Sequence, residues 1–494
     1  MPRRAPRRYP ERDSFVDAVG FAVVDLSLLA GFLSALAPCQ KCKKGVLHLK
    51  MDSGRRAGFV PKLLLECSHP YCGSGVRTGY EFCTSKRIQS ATAASGPFVL
   101  NRRMVLAARE VGCGQAALDR LVAIVGLIGG LSSYAFSEHV RAIDAATSSV
   151  AQQLLAEAAA KVKEIEKAID DNDAGVPSVN GPIDTAVSCD GTWQKRGHLS
   201  LFGVQAVISV GTRKVLDYEI QSKHCHACQS RGQWDKTTSA YREWMDAHRP
   251  HCQINYHASS NSMESAGAKA MWSRSVEKHN LRYTIFVGDG DSSTHKNIKD
   301  IYGQDHPVEK HECITHIQKR MGSQLRSLIL AHKSTSVIPS AGGKRTGIKG
   351  SRGLTAKMID QMQNYYGKAI RDNLGDKPKM IRSINAIYGH FSNDHQHCPE
   401  GEDTWCKYNS QNPEYHRKYK EKDIAPEVLA LLEPSRERLT DPDLLEKVQR
   451  RETQNPNEAL HSVIWKRAPK HLFASFQVKH LACCLETRIS NTLL

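Results

Sequence analysis

Continuous apolar runs and helical periodicities alternate along the chain, and their order is informative. Short runs of the kind that buried strands show occupy 46–49, 59–65, 186–189, 201–210, 214–220, 283–287 and 308–313, with a further one at 21–24. Helical spacing begins after the last of these, capped at Ser27 and running through Leu28, Leu29, Phe32 and Leu36. From 101 to 143 the pattern is again helical. Met104, Val105 and Ala108 share a face, Cys113-Gly114 makes a turn, 116–125 forms a second helix, and Ser137 caps a third. An alanine-rich amphipathic helix follows, with Ile143, Val150, Leu154, Val162, Ile165 and Ile169 on one stripe, and 170–182 reads as a linker. Beyond it, 262–278 carries Met263, Ala266, Ala270, Trp272 and Val276 at helical spacing, and 296–302 forms a shorter helix.

The order after the linker is an opening strand, two strands joined at Gly211-Thr212 as an antiparallel meander, a helix, a strand, a helix and a last strand. A parallel strand needs such a helical crossover. This is the order of the ribonuclease-H-like fold, an α/β architecture with a mixed five-stranded sheet. The expected organisation is a basic arm and zinc-ribbon-like region at 1–100 and a helical region with linker at 101–182. The first part of the sheet core spans 183–333 with a knuckle insert at 223–258, a mostly helical insertion spans 334–440, and C-terminal helices at 441–494 complete the core.

Charge narrows the partner. Sixty-eight Lys and Arg against 51 Asp and Glu give the 494-residue chain a formal charge of +17, which favours a polyanion such as nucleic acid. Arg3, Arg4, Arg7 and Arg8 form an N-terminal arm that suits phosphate binding, nuclear import or a solvated tail. Only 15–37 could suggest a membrane or export segment, and Asp25 at the centre of a span would cost roughly 3 kcal/mol. No membrane association is expected.

Fifteen cysteines without an export signal point to metal sites in a reducing compartment. Cys39-x2-Cys42 and Cys67-x4-Cys72 form two close pairs, as a zinc ribbon requires, with His69 or Cys83 as substitutes for one ligand of the second pair. Cys225-x2-Cys228 followed by His248-x3-Cys252 is a zinc knuckle, with Trp234, Tyr241 and Trp244 between to pack a small core; His251 and His257 compete for the imidazole position. His390, His395, His397, Cys398 and Cys406 offer a further zinc set or a polar loop.

Two strands deliver aspartates. The run at 186–189 ends in Asp190 before a Gly191 turn, and the run at 283–287 leads into Gly288-Asp289-Gly290-Asp291. Neighbouring strands share one carboxyl edge, where paired carboxylates can ligate Mg²⁺ or Mn²⁺. Asp289 follows its strand directly, as Asp190 does; Asp291 is the alternative, or a cap of the next helix. Turn or capping aspartates would give the same Asp-Gly pattern.

Several motifs in order resemble the Mutator-like transposase domain. They are the Asp-Gly-Thr-Trp-Gln-Lys-Arg-Gly-His stretch from Asp190 to His198, the Cys-x2-Cys and His-x3-Cys insert, Ser262-Met263-Glu264, the Gly288 to Ser292 stretch, and Cys313-x2-His316-x2-Lys319-Arg320-Met321-Gly322. The Val-Asp-Leu-Ser stretch and the first cysteine pair fit as well. The resemblance implies a DDE enzyme in which two aspartates and a later glutamate hold divalent metal for DNA cleavage and strand transfer. Cys313 and His316 match the family's Cys-x2-His motif. The stretch Thr453-Gln454-Asn455-Pro456-Asn457-Glu458 resembles its Asn-x2-Glu motif, which makes Glu458 the third acid and Glu452 the runner-up.

On that basis Lys195, Arg196, Lys319, Arg320, Lys344 and Arg345 are expected to track the phosphates of double-stranded DNA. Structural zinc, assembly of several copies on DNA and nuclear residence complete the expectation. The alternative is a domesticated or truncated, catalytically inactive zinc-containing DNA-binding protein, since the 494 residues end soon after Glu458. A zinc deaminase lacks its His-x-Glu signature here.

Overall fold

The computed structural model describes residues 23–493 except 37, 53–56, 71, 73–78, 90–95, 175–180, 196–198, 290–291, 334, 336, 340–344, 350–351, 403, 419–423, 449–453 and 473. Two compact units emerge, 1–108 with 113–139, and 109–112 with 140–494.

In the first unit, α1 (Leu26–Leu36) starts where Asp25 Oδ1 accepts the N–H groups of Ser27 at 2.8 Å and Leu28 at 3.4 Å. Asp25 is therefore the cap and the expected Ser27 is not, because the carboxylate lies two residues earlier and takes the Ser27 hydroxyl too, at 2.6 Å. Of the strand expected at 21–24, residues 21–22 lie outside the described residues, and Val23 and Val24 are exposed and outside any strand. Strands β1 (Leu47–Met51), β2 (Lys62–Cys67) and β3 (Gly79–Cys83) form an antiparallel sheet in that order. Helices α2 (Val99–Glu110) and α3 (Gln115–Val125) follow, and α3 ends at Gly126, whose φ of 72° lets its N–H turn back to the Ala123 carbonyl.

Helix α4 spans Ser133–Ala174 and enters the second unit at Val140. Its first turn is held by Ser132, whose hydroxyl accepts the Ala135 N–H at 3.2 Å, so Ser137 sits inside the helix and is not the cap. The buried stripe is Ile143, Ala151, Leu155, Ala158, Ala159 and Val162, while Val150 and Ile169 are exposed. Alanines let the helix lie close against its neighbours, which shifts the stripe away from the large residues that the sequence singles out.

Five strands build the main sheet: β4 (Ile183–Trp193), β5 (Phe202–Ser209), β6 (Val215–Ser222), β7 (Leu281–Gly288) and β8 (Glu309–Glu312), in the order β6-β5-β4-β7-β8. The first three are an antiparallel meander; β7 runs parallel to β4, and β8 parallel to β7. Gly191 is not a turn. The strand continues through it, pairing Gly191 with Gln205 and Trp193 with Gly203, because Thr192 and Trp193 have partners on opposite faces. Strand β8 is Glu-Lys-His-Glu, a charged edge that discourages further pairing; the apolar character expected at 308–313 resides in flanking Val308 and Cys313.

Between β6 and β7 come α5 (His226–Ser230), α6 (Ser239–His248) and the crossover α7 (Met263–His279). Alternation along β5 divides its side chains: Val207 joins Cys189, Met271 and Trp272 of α7 in one core, while Val204, Ala206 and Ile208 join Leu460, Ile464 and Trp465 in another. Helix α8 (Ser292–Ile298) begins earlier than expected. A separate helical core is made by α9 (Ile314–Ala331), α10 (Ala356–Arg371), α11 (Lys377–Phe391), α13 (Pro426–Leu439) and α14 (Pro442–Glu446), with Met321, Tyr366, Ile384 and Leu432 among its buried residues, while the short α12 (Pro413–His416) buries none of its own. Then α15 (Asn455–Arg467) and α16 (Phe476–Leu493) return to the sheet. No described helix is long and apolar enough to cross a membrane.

Candidate functional site

The parallel register between β4 and β7 pairs Ser188 with Val287. Continued by two residues, that register sets Asp190 of β4 level with Asp289, which stands just past the end of β7 at the carboxyl edge. Ser188, Asp190 and Thr192 share one strand face. Helix α15 covers that face with residues spaced by four. Asn457 Oδ1 accepts the Ser188 hydroxyl at 2.6 Å, His461 Nδ1 lies 3.6 Å from Asp190 Oδ2, and Trp465 Nε1 donates to Thr192 Oγ1 at 2.9 Å. The match is metric: four helical residues advance about 6 Å and two strand residues about 6.7 Å.

Glu458 follows Asn457 in the first turn of α15. Its carboxylate lies 3.8 Å from His316 Nε2 and 3.9 Å from Lys319 Nζ, both on α9. Three further bonds gather these elements at the edge. Cys313 N–H donates to the Gly288 carbonyl at 3.1 Å, Gln454 N–H to Cys313 Sγ at 3.3 Å, and Gln454 Nε2 to the Cys189 carbonyl at 2.9 Å. The ends of β4, β7 and β8 and the starts of α9 and α15 thus meet.

The electrostatics follow from that crowding. Burial pushes the Asp190 carboxyl up to about 6; the Gly191 N–H opposes this, and the charges of Asp289 and Glu458 add to it. The Cys313–His316 hydrogen bond raises His316, while Cys313 is lowered: burial works against its thiolate, but His316 and the N–H of Gln454 outweigh it. Burial lowers His461 to about 4, so a neutral imidazole stands beside Asp190. The charges of Asp289 and Glu458 thus both bear on the Asp190 carboxyl, which carries its proton more readily for it.

The sequence-predicted cations divide. Lys319 reaches the acidic edge, and Lys195 is exposed just beyond β4. Arg320 is held by Glu312 at 2.8 Å. Arg345 lies in a two-residue strand paired with Ile338–Pro339. Arg196, Lys344, Asp291 and Glu452 lie outside the described residues. Sequence reading missed His461 and also Lys470, whose Nζ lies 3.5 Å from Thr192 Oγ1 and over the Trp465 ring. The available signal for His461 was its spacing of four from Asn457.

Thiols and imidazoles gather elsewhere. Cys39, Cys42, Cys67 and Cys72 bring their sulfurs within 4.8 Å of one another. Backbone N–H groups of Cys42 and Lys41 hold the Cys39 thiol down to about 6, which favours the thiolate that binds zinc. Cys83 is exposed on β3, and His69 contributes its N–H to Cys67 Sγ at 3.4 Å. In the knuckle, His248 Nε2 lies 3.3 Å from both Cys225 Sγ and Cys228 Sγ, with Cys252 completing the set; His251 and His257 are exposed. Trp244 pairs with both Trp234 and Tyr241, but α6 buries none of its residues, so these rings do not form the buried core expected there.

A third cluster comprises His390, His395, Cys398 and Cys406, all buried. His390 takes the place expected for His397, which is exposed: Asp394 Oδ1 accepts the Gln396 N–H at 3.0 Å, and the resulting turn aims 395 and 398 inward and 397 outward. A fourth group, Asp144, His480 and Cys484, joins α4 to α16 and was not anticipated. Each of the first three sets could hold zinc.

None of the curated proteins matches the chain. A family model described as Mutator-like transposase matches residues 20–406, which include Asp190, Asp289, the Cys313–His316 pair and the first three metal-type clusters. The match stops short of α15, so Glu458 rests on geometry and the local motif. With most of its length matched, the chain belongs to the Mutator-like transposase family.

Proposed function

We propose that the chain is a DDE-type transposase with a ribonuclease-H-like core, cutting DNA phosphodiesters at the ends of its element and joining them to a target. Asp190, Asp289 and Glu458 would hold Mg²⁺ or Mn²⁺. When bound, such ions activate water or a DNA 3′-hydroxyl and stabilise the leaving oxygen. The observation that carries the proposal is the register bringing Asp190 and Asp289 level, with Glu458 fastened to the same edge.

The chain's own residues do the positioning. Neutral His461 steadies the Asp190 carboxylate without competing for it as a cation. His316 and Lys319 hold Glu458 at the edge, and Asn457 and Gln454 fix the helix that carries it. Lys195 and Lys470 flank Thr192, where a DNA backbone would run toward the acids. Zinc in the Cys39, Cys225 and His390 clusters would be structural. Double-stranded DNA at element ends and targets is the partner, several copies act together on it, and the site of action is the nucleus.

Purified protein with Mn²⁺ and duplex DNA carrying the element's own ends should be nicked, and Asp190→Asn should abolish nicking while leaving DNA binding intact. Undiminished nicking by that variant would remove Asp190 from the chemistry.

A further inference from the structure

The zinc-knuckle insert carries aromatic surface that its own packing does not use. Trp234 is 44% exposed, and its ring lies 6.4 Å from that of Trp244. The Arg231 guanidinium sits 4.4 Å from the Trp234 ring and 4.7 Å from the Trp244 ring, so one cation bridges two indoles. Trp244 in turn stacks on His248 at 4.8 Å with the planes 9° apart, and that imidazole is a zinc-type ligand of the knuckle. The tier is therefore braced by the metal cluster at its His248 end, while Trp234 at its other end is exposed. An indole held in this way presents a flat apolar face together with a cation, which suits the seating of a planar partner.

Its location is informative. Strands β4 and β6 both run antiparallel to β5, so they point the same way, and β6 ends at the edge that carries Asp190 and Asp289. The insert leaves that edge at Ser222 and returns to it. Asn255 N–H donates to the Ser222 carbonyl at 3.0 Å, Ser222 N–H to Asn255 Oδ1 at 2.6 Å, and Trp193 Nε1 to the Ser260 carbonyl at 2.9 Å. Two strand spacings, about 10 Å, separate β6 from β4. Across 223–258, five Lys and Arg outnumber three Asp and Glu. Flat π faces, a guanidinium and a net positive charge beside acids that would cut a phosphodiester fit one kind of occupant, a nucleobase outside its duplex. Stacking on indole accepts any base and needs the base unpaired.

We propose that Trp234, with Arg231 and Trp244, is a stacking platform for unpaired nucleotides of the DNA strand held at the acidic edge. It rests on the DNA-cleaving reading above and adds a preference within it: the knuckle holds bases freed from pairing next to the cut. The duplex on either side is held by lysines elsewhere.

The test uses the full chain with its zinc, a labelled short oligothymidylate, and a fully paired duplex, with binding read by fluorescence anisotropy. Trp234→Leu fills space without a π face, and it should weaken oligothymidylate binding about tenfold while leaving the duplex affinity unchanged. Trp234→Phe should retain both, and the zinc content of both variants should equal that of the parent chain. Quenching of tryptophan emission by oligothymidylate should fall in Trp234→Leu. A Trp234→Leu chain that binds oligothymidylate like the parent, or that loses both probes equally, would overturn the platform. If the parent binds duplex but not oligothymidylate, the platform falls and the DNA-cleaving reading stands; if it binds neither, that reading fails as well.

Discussion

Asn457 and Glu458 are neighbours with separable tasks, and substituting each in turn tests the geometry of the acidic edge. Asn457 is fully buried; its Oδ1 accepts the Ser188 hydroxyl at 2.6 Å, and its Nδ2 donates to the Ala206 carbonyl at 2.9 Å. Asn457→Ala leaves two buried groups unpaired, at about 1–3 kcal/mol each, so α15 should lose roughly 2–6 kcal/mol of local stability. Amide hydrogen exchange of 457–467 reads this directly, since about 1.4 kcal/mol corresponds to tenfold in an equilibrium. Protection should fall about thirtyfold or more, and Ser188→Ala should add little in the Asn457→Ala background because its partner is already gone. Glu458→Gln, by contrast, changes a half-exposed side chain in the first turn, and protection of α15 should stay near that of the parent while nicking is lost. Unchanged protection in Asn457→Ala would refute the claim that this amide fastens α15 to the sheet.

Other expectations are briefer. Cys398→Ser should lower the zinc content by about one ion per chain, whereas His397→Ala should leave it unchanged; equal loss from both would contradict the placement of His390 in the cluster. The hydrogen bond to Asp144 raises His480 to about 10, with Cys484 adding to the rise. Because the folded value lies above the unfolded value of about 6.5, this pair stabilises fully below about pH 6.5, and its contribution is lost as pH climbs through about 10. Thermal melts between pH 7 and 10.5 should show a steeper decline for the parent than for Asp144→Asn, and parallel declines would dismiss the pair as a source of stability.

How much the sequence disclosed depended on the range of the signal. Apolar runs marked β4 to β7 because those strands are buried, and close cysteine spacing marked the two N-terminal metal-type clusters because their ligands come from short turns. Asp-Gly at 190–191 signalled a turn on local grounds, but pairing with β5 on one side and partners for Thr192 and Trp193 on both faces kept the strand going. The stripe of α4 was misplaced for a related reason: small alanines occupy the buried face, and hydrophobic size is a poor guide where a helix lies close. His397 looked as good a ligand as His390 until a turn built on Asp394 left it exposed. Asp144 and His480 are 336 residues apart, so no spacing rule could have joined them. His461 offered only its spacing of four from Asn457, and that spacing acquires meaning from the strand that α15 crosses.

The central claim is that Asp190, Asp289 and Glu458 act as one metal-binding set, and counting bound Mn²⁺ tests it without relying on catalysis. Electron paramagnetic resonance of the zinc-loaded protein, titrated with Mn²⁺, should show tight uptake by the parent chain, with strong loss in Asp190→Asn, Asp289→Asn and Glu458→Gln alike. Mn²⁺ uptake equal to that of the parent in all three variants would contradict the account.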